Sequence, residues 1–267
     1  MKNIQTLLKN IQINMPFSML FDTYLDKFVQ HGLNPEIGID AATLERFSNA
    51  EFLDVAETLH NHGLITTLHG PYIDLSAGST DPAVRALTRR RFEQVLDLIP
   101  VFKPKSVVYH AGYDAKRYGY FRDVWVENCL EIWTWLANLI SEKGSQLMLE
   151  NVYEKQPEDM LIIFEKLQRH RVGFCLDTGH LTAFGNSDLA SWLTCLGSYL
   201  GQLHLHDNHG KNDEHLAMGN GTIDFDVLFD YLKNEVHPQP IITIEPHTES
   251  DLWQSLAYLA KRWPWKS

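Results

Sequence analysis

His69, His110, Glu150, Asp177, His180, His204 and Glu245 each stand at or just after the end of a short apolar run, in "ITTLH", "SVVYH", "QLMLE", "VGFCLDTGH", "GQLHLH" and "IITIE". Imidazoles and carboxylates are the side chains that ligate divalent ions and move protons near neutral pH. A carboxylate that finishes an apolar strand is costly to bury alone, so Glu150 and Glu245 each require a metal, a hydrogen-bond donor or a proton. A divalent ion between them satisfies both. Asp177 and His204 then complete a mixed nitrogen and oxygen set suited to Zn²⁺ or Mn²⁺, with Mg²⁺ disfavoured by the imidazole. One strand-end histidine is ordinarily a hydrogen-bonded core residue, but His69 and His110 close adjacent runs and, beside Glu150, gain weight as ligands. Asp213 and His215 lie in "KNDEHLAMGNG", a Gly-rich loop for which plain solvation is the alternative. Their i, i+2 spacing lets both reach one ion if the segment is extended.

These residues must be carried by elements that bring them together. Eight strand candidates begin at Asn10, Glu36, Ile65, Ser106, Gln146, Val172, Gly201 and Ile241, most of them continuous apolar runs of the kind expected for strands covered on both faces. Amphipathic stretches alternate with them. In "SNAEFLDVAETLHNHG" Ser48 and Glu51 form a capping-box pattern and Gly63 a stop, "TDPAVRALTRRRFEQVLDLI" opens on Asp-Pro, and "FRDVWVENCLEIWTWLANLISEKG" ends at Gly144. "DFDVLFDYLKN" and "DLWQSLAYLAKRW" supply the last two helices. Strands each followed by a helix predict an α/β fold, a single (β/α)₈ barrel over residues 1–267, whose carboxyl-terminal strand ends gather at one mouth. That geometry turns a linear series of ligands into a cluster.

Composition bounds the partners. A formal net charge of −11 gives no general attraction to polyanions, and the Arg89 to Arg91 run sits in a helical pattern as a solvated face. Cys129, Cys175 and Cys195 are odd in number and apolar in context, which predicts reduced core thiols and a cytoplasmic protein. The amino terminus lacks the sections of a secretory signal, and no run of 18 apolar residues predicts a membrane span. The aromatic residues of "RWPWKS" are expected to pack on the barrel base; oligomeric state is left open.

The ordered set "ITTLHGPYIDL", "LEN", "CLDTGH", "HLHDN", "DEHLAMGNGTIDF" and "IEPH" resembles the xylose-isomerase-like TIM-barrel superfamily, which includes sugar isomerases and epimerases and the endonuclease IV class of abasic-site nucleases. Every ligand position of the nuclease pattern finds a like residue. The resemblance implies one ion held by His69, His110 and Glu150, a second by Glu150, Asp177, His204 and Glu245, and a third by His180, Asp213 and His215. The isomerase pattern implies a single ion on Glu150, Glu245, Asp177 and His204. Glu150 and Glu245 then exchange a proton with the substrate through an enediolate, and His180 binds a substrate oxygen. His215 departs from that pattern, standing near a point where related epimerases often carry arginine.

The nuclease family's Gln- and Arg-bearing loop after the second strand and its longer basic insertion after the seventh have no counterpart here, which disfavours DNA as substrate. Tyr72, Tyr113, Phe17, Tyr153 and Phe184 fall in or beside strand-end segments, where aromatic faces suit a sugar; Tyr72 and Tyr113 are the expected substrate contacts. The expected function is therefore a divalent-metal-dependent isomerase or epimerase of a small sugar, using one to three ions of zinc or manganese. A trinuclear phosphoester hydrolase and a non-catalytic metal- or carbohydrate-binding barrel are the alternatives.

Overall fold

Eight parallel strands close into a barrel in chain order, β8 returning to β1, in a computed structural model that describes residues 4–234 and 239–265. They are β1 (Ile11–Pro16), β2 (Asn34–Gly38), β3 (Thr67–His69), β4 (Ser106–His110), β5 (Gln146–Glu150), β6 (Gly173–Asp177), β7 (Leu200–Leu205) and β8 (Ile241–Ile244). Helices follow each strand, so the predicted (β/α)₈ architecture holds. The local signals act as read. Ser48 and Glu51 cap the helix Asn49–Asn61 reciprocally, Asp81 caps Pro82–Phe102 with Pro82 in its first turn, and Gly63 and Gly144 take φ of +69° and +82° just past their helices. Among the described residues no helix is long and apolar enough to cross a membrane.

The barrel wall has two unlike faces. Outward residues such as Ile13, Ile37, Leu68, Val107, Leu149, Leu203 and Ile242 join one apolar core with the helices. Inside, a small apolar cluster of Val108, Met148 and Cys175 lies apart from that core, and beside it runs a polar network. Glu36 accepts from Thr67 Oγ1 at 2.9 Å, from Thr243 Oγ1 at 3.1 Å and from the Gln202 amide, while Ser106 Oγ donates to Gln202 at 2.6 Å. The strands are covered on both faces, as read, but the inner face is not wholly apolar: buried polar side chains fill part of the interior because each finds a partner there.

Two surface readings also change. Arg91 keeps 14% of its side-chain exposure and pairs with Glu45 at 2.6 Å, and Arg89 lies over the Trp135 ring at 4.2 Å, so the arginine run is mostly tied down rather than simply solvated. Cys129 and Cys175 are buried and Cys195 half-buried, and none is bridged. Trp263 and Trp265 are partly buried against the main core; Lys266 and Ser267 of the same segment lie outside the described residues.

Candidate metal centre

Parallel pairing puts the expected ligands at one height. His110 lies opposite Glu150 between β4 and β5, and Asp177 opposite His204 between β6 and β7. At the mouth the side chains converge. Glu150 Oε2 approaches His69 Nε2 at 3.0 Å and His110 Nε2 at 3.5 Å, and Glu150 Oε1 approaches His180 Nδ1 at 3.1 Å and His204 Nδ1 at 3.2 Å. The same His204 nitrogen lies 3.1 Å from Glu245 and 3.9 Å from Asp177. His180 Nε2 is 3.3 Å from Asp213, whose other neighbour, His215 Nε2, is 3.0 Å away. All of the expected ligands therefore meet in one cluster.

Two residues of that cluster were not picked out from the sequence. His206 brings Nε2 to 3.1 Å from Asp177 and 3.8 Å from Glu245, and stacks on His215 with ring centroids 3.9 Å apart. The signal was the alternation in "HLHDN": residues two apart on a strand face the same side, so His206 sits one layer above His204. Glu36, fully buried in β2, lies 2.9 Å from His204 Nε2, beneath the mouth. A glutamate inside the strand "NPEIG" was its only mark. His204 thus spans two layers, facing Glu36 on one side and the Glu150 and Glu245 carboxylates on the other.

The loop after β7 is set by a buried carboxylate. Asp207 accepts backbone N–H bonds from Asn208, Gly219, Gly221 and Ile223 at 2.9 to 3.1 Å, and pairs by backbone with Leu216. This anchors the segment that bears Asp213 and His215. His215 adopts a φ of +50°, unusual for a residue with a Cβ. Its Nδ1–H donates to the Glu245 carbonyl at 3.2 Å, which holds the ring over the cluster.

Protonation follows from burial and neighbours. Burial lowers His110 to about 3, with Glu150 opposing, so this imidazole is neutral at physiological pH. For His215, burial pulls the value down, but the Asp213 hydrogen bond and the Glu245 charge outweigh it and lift the group to about 9. Burial would raise Glu150, yet the facing His204 charge and the hydrogen bonds from His180 and His204 hold its carboxyl well below the usual range; Glu245 is held down in the same way, by His204. Burial also opposes charge on His204 and His180, and the surrounding carboxylates lift both well above the ordinary histidine value.

The donor set fits divalent ions. His69 and His215 each direct Nδ1–H to a backbone carbonyl, of Gly70 and Glu245, which leaves Nε2 to face Glu150 and Asp213, while His180 Nδ1 lies 3.1 Å from both the Asn151 carbonyl and Glu150 and its Nε2 faces Asp213. That is the orientation a ligating imidazole takes when its other nitrogen is held by an outer partner. Buried Nδ1 of His206 and Oδ1 of Asp213 have no hydrogen-bond partner. Among the described residues four triads place their ligand atoms within 4.8 Å of one another: His69, His110 and Glu150; Glu150, Asp177 and His180; His206, His215 and Glu245; and Glu36, His204 and Glu245.

Of the expected aromatic contacts, Tyr72 stacks on His110 at 4.1 Å and, with Tyr153 and Phe184, lines the cavity at the mouth. Tyr113 does not. It is buried against Trp125, with its backbone N–H donating to Glu154 at 2.7 Å, because the segment after β4 folds back over the long helix Arg122–Glu142. Phe17 likewise packs in the core, among Phe47, Phe52 and Phe102.

The same arrangement of strands recurs in known proteins. Residues 35–262 match the family described as xylose isomerase-like TIM barrel. The uncharacterized protein MJ1311 of Methanocaldococcus jannaschii is 28% identical over 185 residues, a stretch covering 67% of this chain and 63% of that relative, so less than two thirds of the relative's length is spanned. The TTHB071 protein from Thermus thermophilus, in a structure obtained after soaking with ZnCl₂, superposes with a TM-score of 0.78 at 26% identity, covering 94% of this chain and 97% of that one. A D-tagatose 3-epimerase-like protein gives 0.80 at 22% identity over 95% and 97%, a likeness of fold. With the family match spanning most of the barrel, this chain belongs to the xylose isomerase-like TIM-barrel family.

Proposed function

We propose that this protein is a divalent-metal-dependent isomerase or epimerase of a sugar or related polyhydroxy compound. The observation that carries the reading is the pair Glu150 and Glu245, which approach the same His204 nitrogen at 3.2 and 3.1 Å from different strands. Two carboxylates facing one small volume are what a proton transfer needs: one takes a proton from a carbon beside a carbonyl, and the other returns it. Glu150, Glu245, Asp177 and His206, with His204 in reach, would hold the ion, of zinc or manganese by donor type. When bound, the ion supplies Lewis acidity to the substrate's oxygens.

The chain's own residues supply the rest. His180, with Nε2 directed toward Asp213 and the cavity, is placed to bind a substrate hydroxyl. Tyr72 closes one wall and offers an aromatic face to the sugar's C–H groups. A relationship of fold to a D-tagatose 3-epimerase-like protein supports the substrate class.

The test is exchange of substrate C–H for solvent deuterium across a panel of aldoses and ketoses with Mn²⁺ or Zn²⁺ supplied. Glu150→Gln and Glu245→Gln should each reduce exchange by roughly 100-fold or more, with bound metal quantified in each variant. Unchanged exchange in both variants would remove them as the acid and base.

A second reading rests on the surplus of ligands. Four overlapping triads offer more nitrogen and oxygen donors than one ion can use, which supports a multinuclear phosphoester hydrolase. Elemental analysis decides: one ion per chain supports the isomerase, and three, together with chelator-sensitive nicking of an abasic-site duplex, the hydrolase.

A further inference from the structure

A carboxylate buried inside the barrel is costly unless its neighbours compensate it, and the two oxygens of Glu36, fully buried on β2, are treated unequally. Oε2 accepts from Thr67 Oγ1 at 2.9 Å, from Thr243 Oγ1 at 3.1 Å and from the Gln202 amide, donors on β3, β8 and β7. Gln202 is itself oriented, because Ser106 Oγ on β4 donates to its carbonyl at 2.6 Å and so leaves the NH₂ to face Glu36. Oε1 makes no hydrogen bond and lies 2.9 Å from His204 Nε2.

The other nitrogen of that ring is in a matching position. His204 Nδ1 is also buried without a hydrogen bond, and carboxylate oxygens of Glu245, Glu150 and Asp177 stand 3.1, 3.2 and 3.9 Å from it. A buried nitrogen left open toward three acids has the setting of a ligand atom.

Resting on the metal centre of the proposed function, we infer that Glu36 is a positioning residue, which holds the His204 ring from beneath so that Nδ1 is the nitrogen presented to the ion. An outer carboxylate behind a ligating imidazole fixes its tautomer and orientation and raises its basicity. Donors on three other strands keep this carboxylate from turning away. Because Oε2 is already committed to those donors and Oε1 meets the lower nitrogen of the ring, the triad Glu36, His204 and Glu245 is a ligand pair with its support rather than a separate ion site.

The test has two arms. In the first, long-range proton–nitrogen NMR spectra of the wild-type protein with labelled histidine should show His204, once Zn²⁺ is supplied, as the Nε2–H tautomer with Nδ1 on the metal. Nε2 on the metal, or a His204 signal unmoved by Zn²⁺, would overturn the inference. In the second, Glu36→Gln fills the same space and keeps an oxygen for the ring but removes the charge. It should weaken Zn²⁺ binding, read by competition with a chromophoric chelator, roughly tenfold or more, and alter the visible absorption of the Co²⁺-loaded protein. A role in packing alone predicts neither change, so affinity within about twofold of wild type or an unaltered Co²⁺ spectrum would sink the proposal while leaving the metal centre standing. If circular dichroism shows that Glu36→Gln does not fold, Thr243→Val, which removes one donor to Oε2, should give the same two changes in smaller measure. A wild-type chain that binds neither Zn²⁺ nor Co²⁺ would overturn the metal centre and this inference together.

Discussion

At the scale of single residues, the centre is built from imidazoles in different protonation states. His110 is neutral and ready to ligate, whereas His215 holds a proton up to about pH 9 in the ion-free protein. An ion bound at His206, His215 and Glu245 must displace that proton, so affinity should rise as pH increases from 6 toward 9, with proton release measurable by calorimetry in buffers of different ionisation enthalpy. Binding with no net proton release at pH 7 would contradict this assignment. The sign for stability is opposite. Because the folded value of His215 is raised, its ion pairs with Asp213 and Glu245 stabilise the ion-free protein fully below pH 6.5, and that contribution is lost as pH rises through about 9. Such residue-level chemistry was legible in the sequence as residue type, since His and acid at the ends of apolar runs already implied ligands. The partition between His204 and His206 was not, because both lie on the same face of one strand and only their heights differ.

At the scale of elements, close packing fixes the rings that the ions would need. Gly179, in the helix Thr178–Phe184, leaves no room for a side chain: a Cβ there would lie 1.9 Å from the His206 ring. His206 cannot retreat, because His215 stacks on its other side. Gly179→Ala should therefore cost about 1–3 kcal/mol of stability and also lower metal content, measured by denaturant unfolding and elemental analysis; full metal retention would show that His206 is dispensable as a ligand. The strands and principal helices were readable, as were the Ser48 box, the Asp81 cap and the stops at Gly63 and Gly144, because these signals are local. The polar inner face was not. Glu36, Thr67, Gln202 and Thr243 satisfy one another from four different strands, a pairing that no local pattern encodes.

At the scale of the whole molecule, the centre is a concentration of buried charge that an ion should stabilise. An ion that binds only the folded state, at a hundred times its dissociation constant, adds about 2.7 kcal/mol, which in a chain of this size raises the unfolding midpoint by roughly 5–10 °C. Chelation should reverse that shift in a thermal melt monitored by circular dichroism, and a midpoint insensitive to both metal and chelator would argue against the centre. What the sequence by itself determined was the alternation of strand and helix and the kinds of ligand at the strand ends, because hydrophobic period, capping and residue chemistry act over a few neighbours. Tertiary structure alone decided the height of each ligand, the burial of Tyr113 and Phe17 away from the mouth, and the cavity wall shared by the helical segment after β1 and the helix Glu249–Arg262. The stagger of a closed barrel sets how strand ends line up, and closure brings the two ends of the chain together, so both depend on pairings between distant residues.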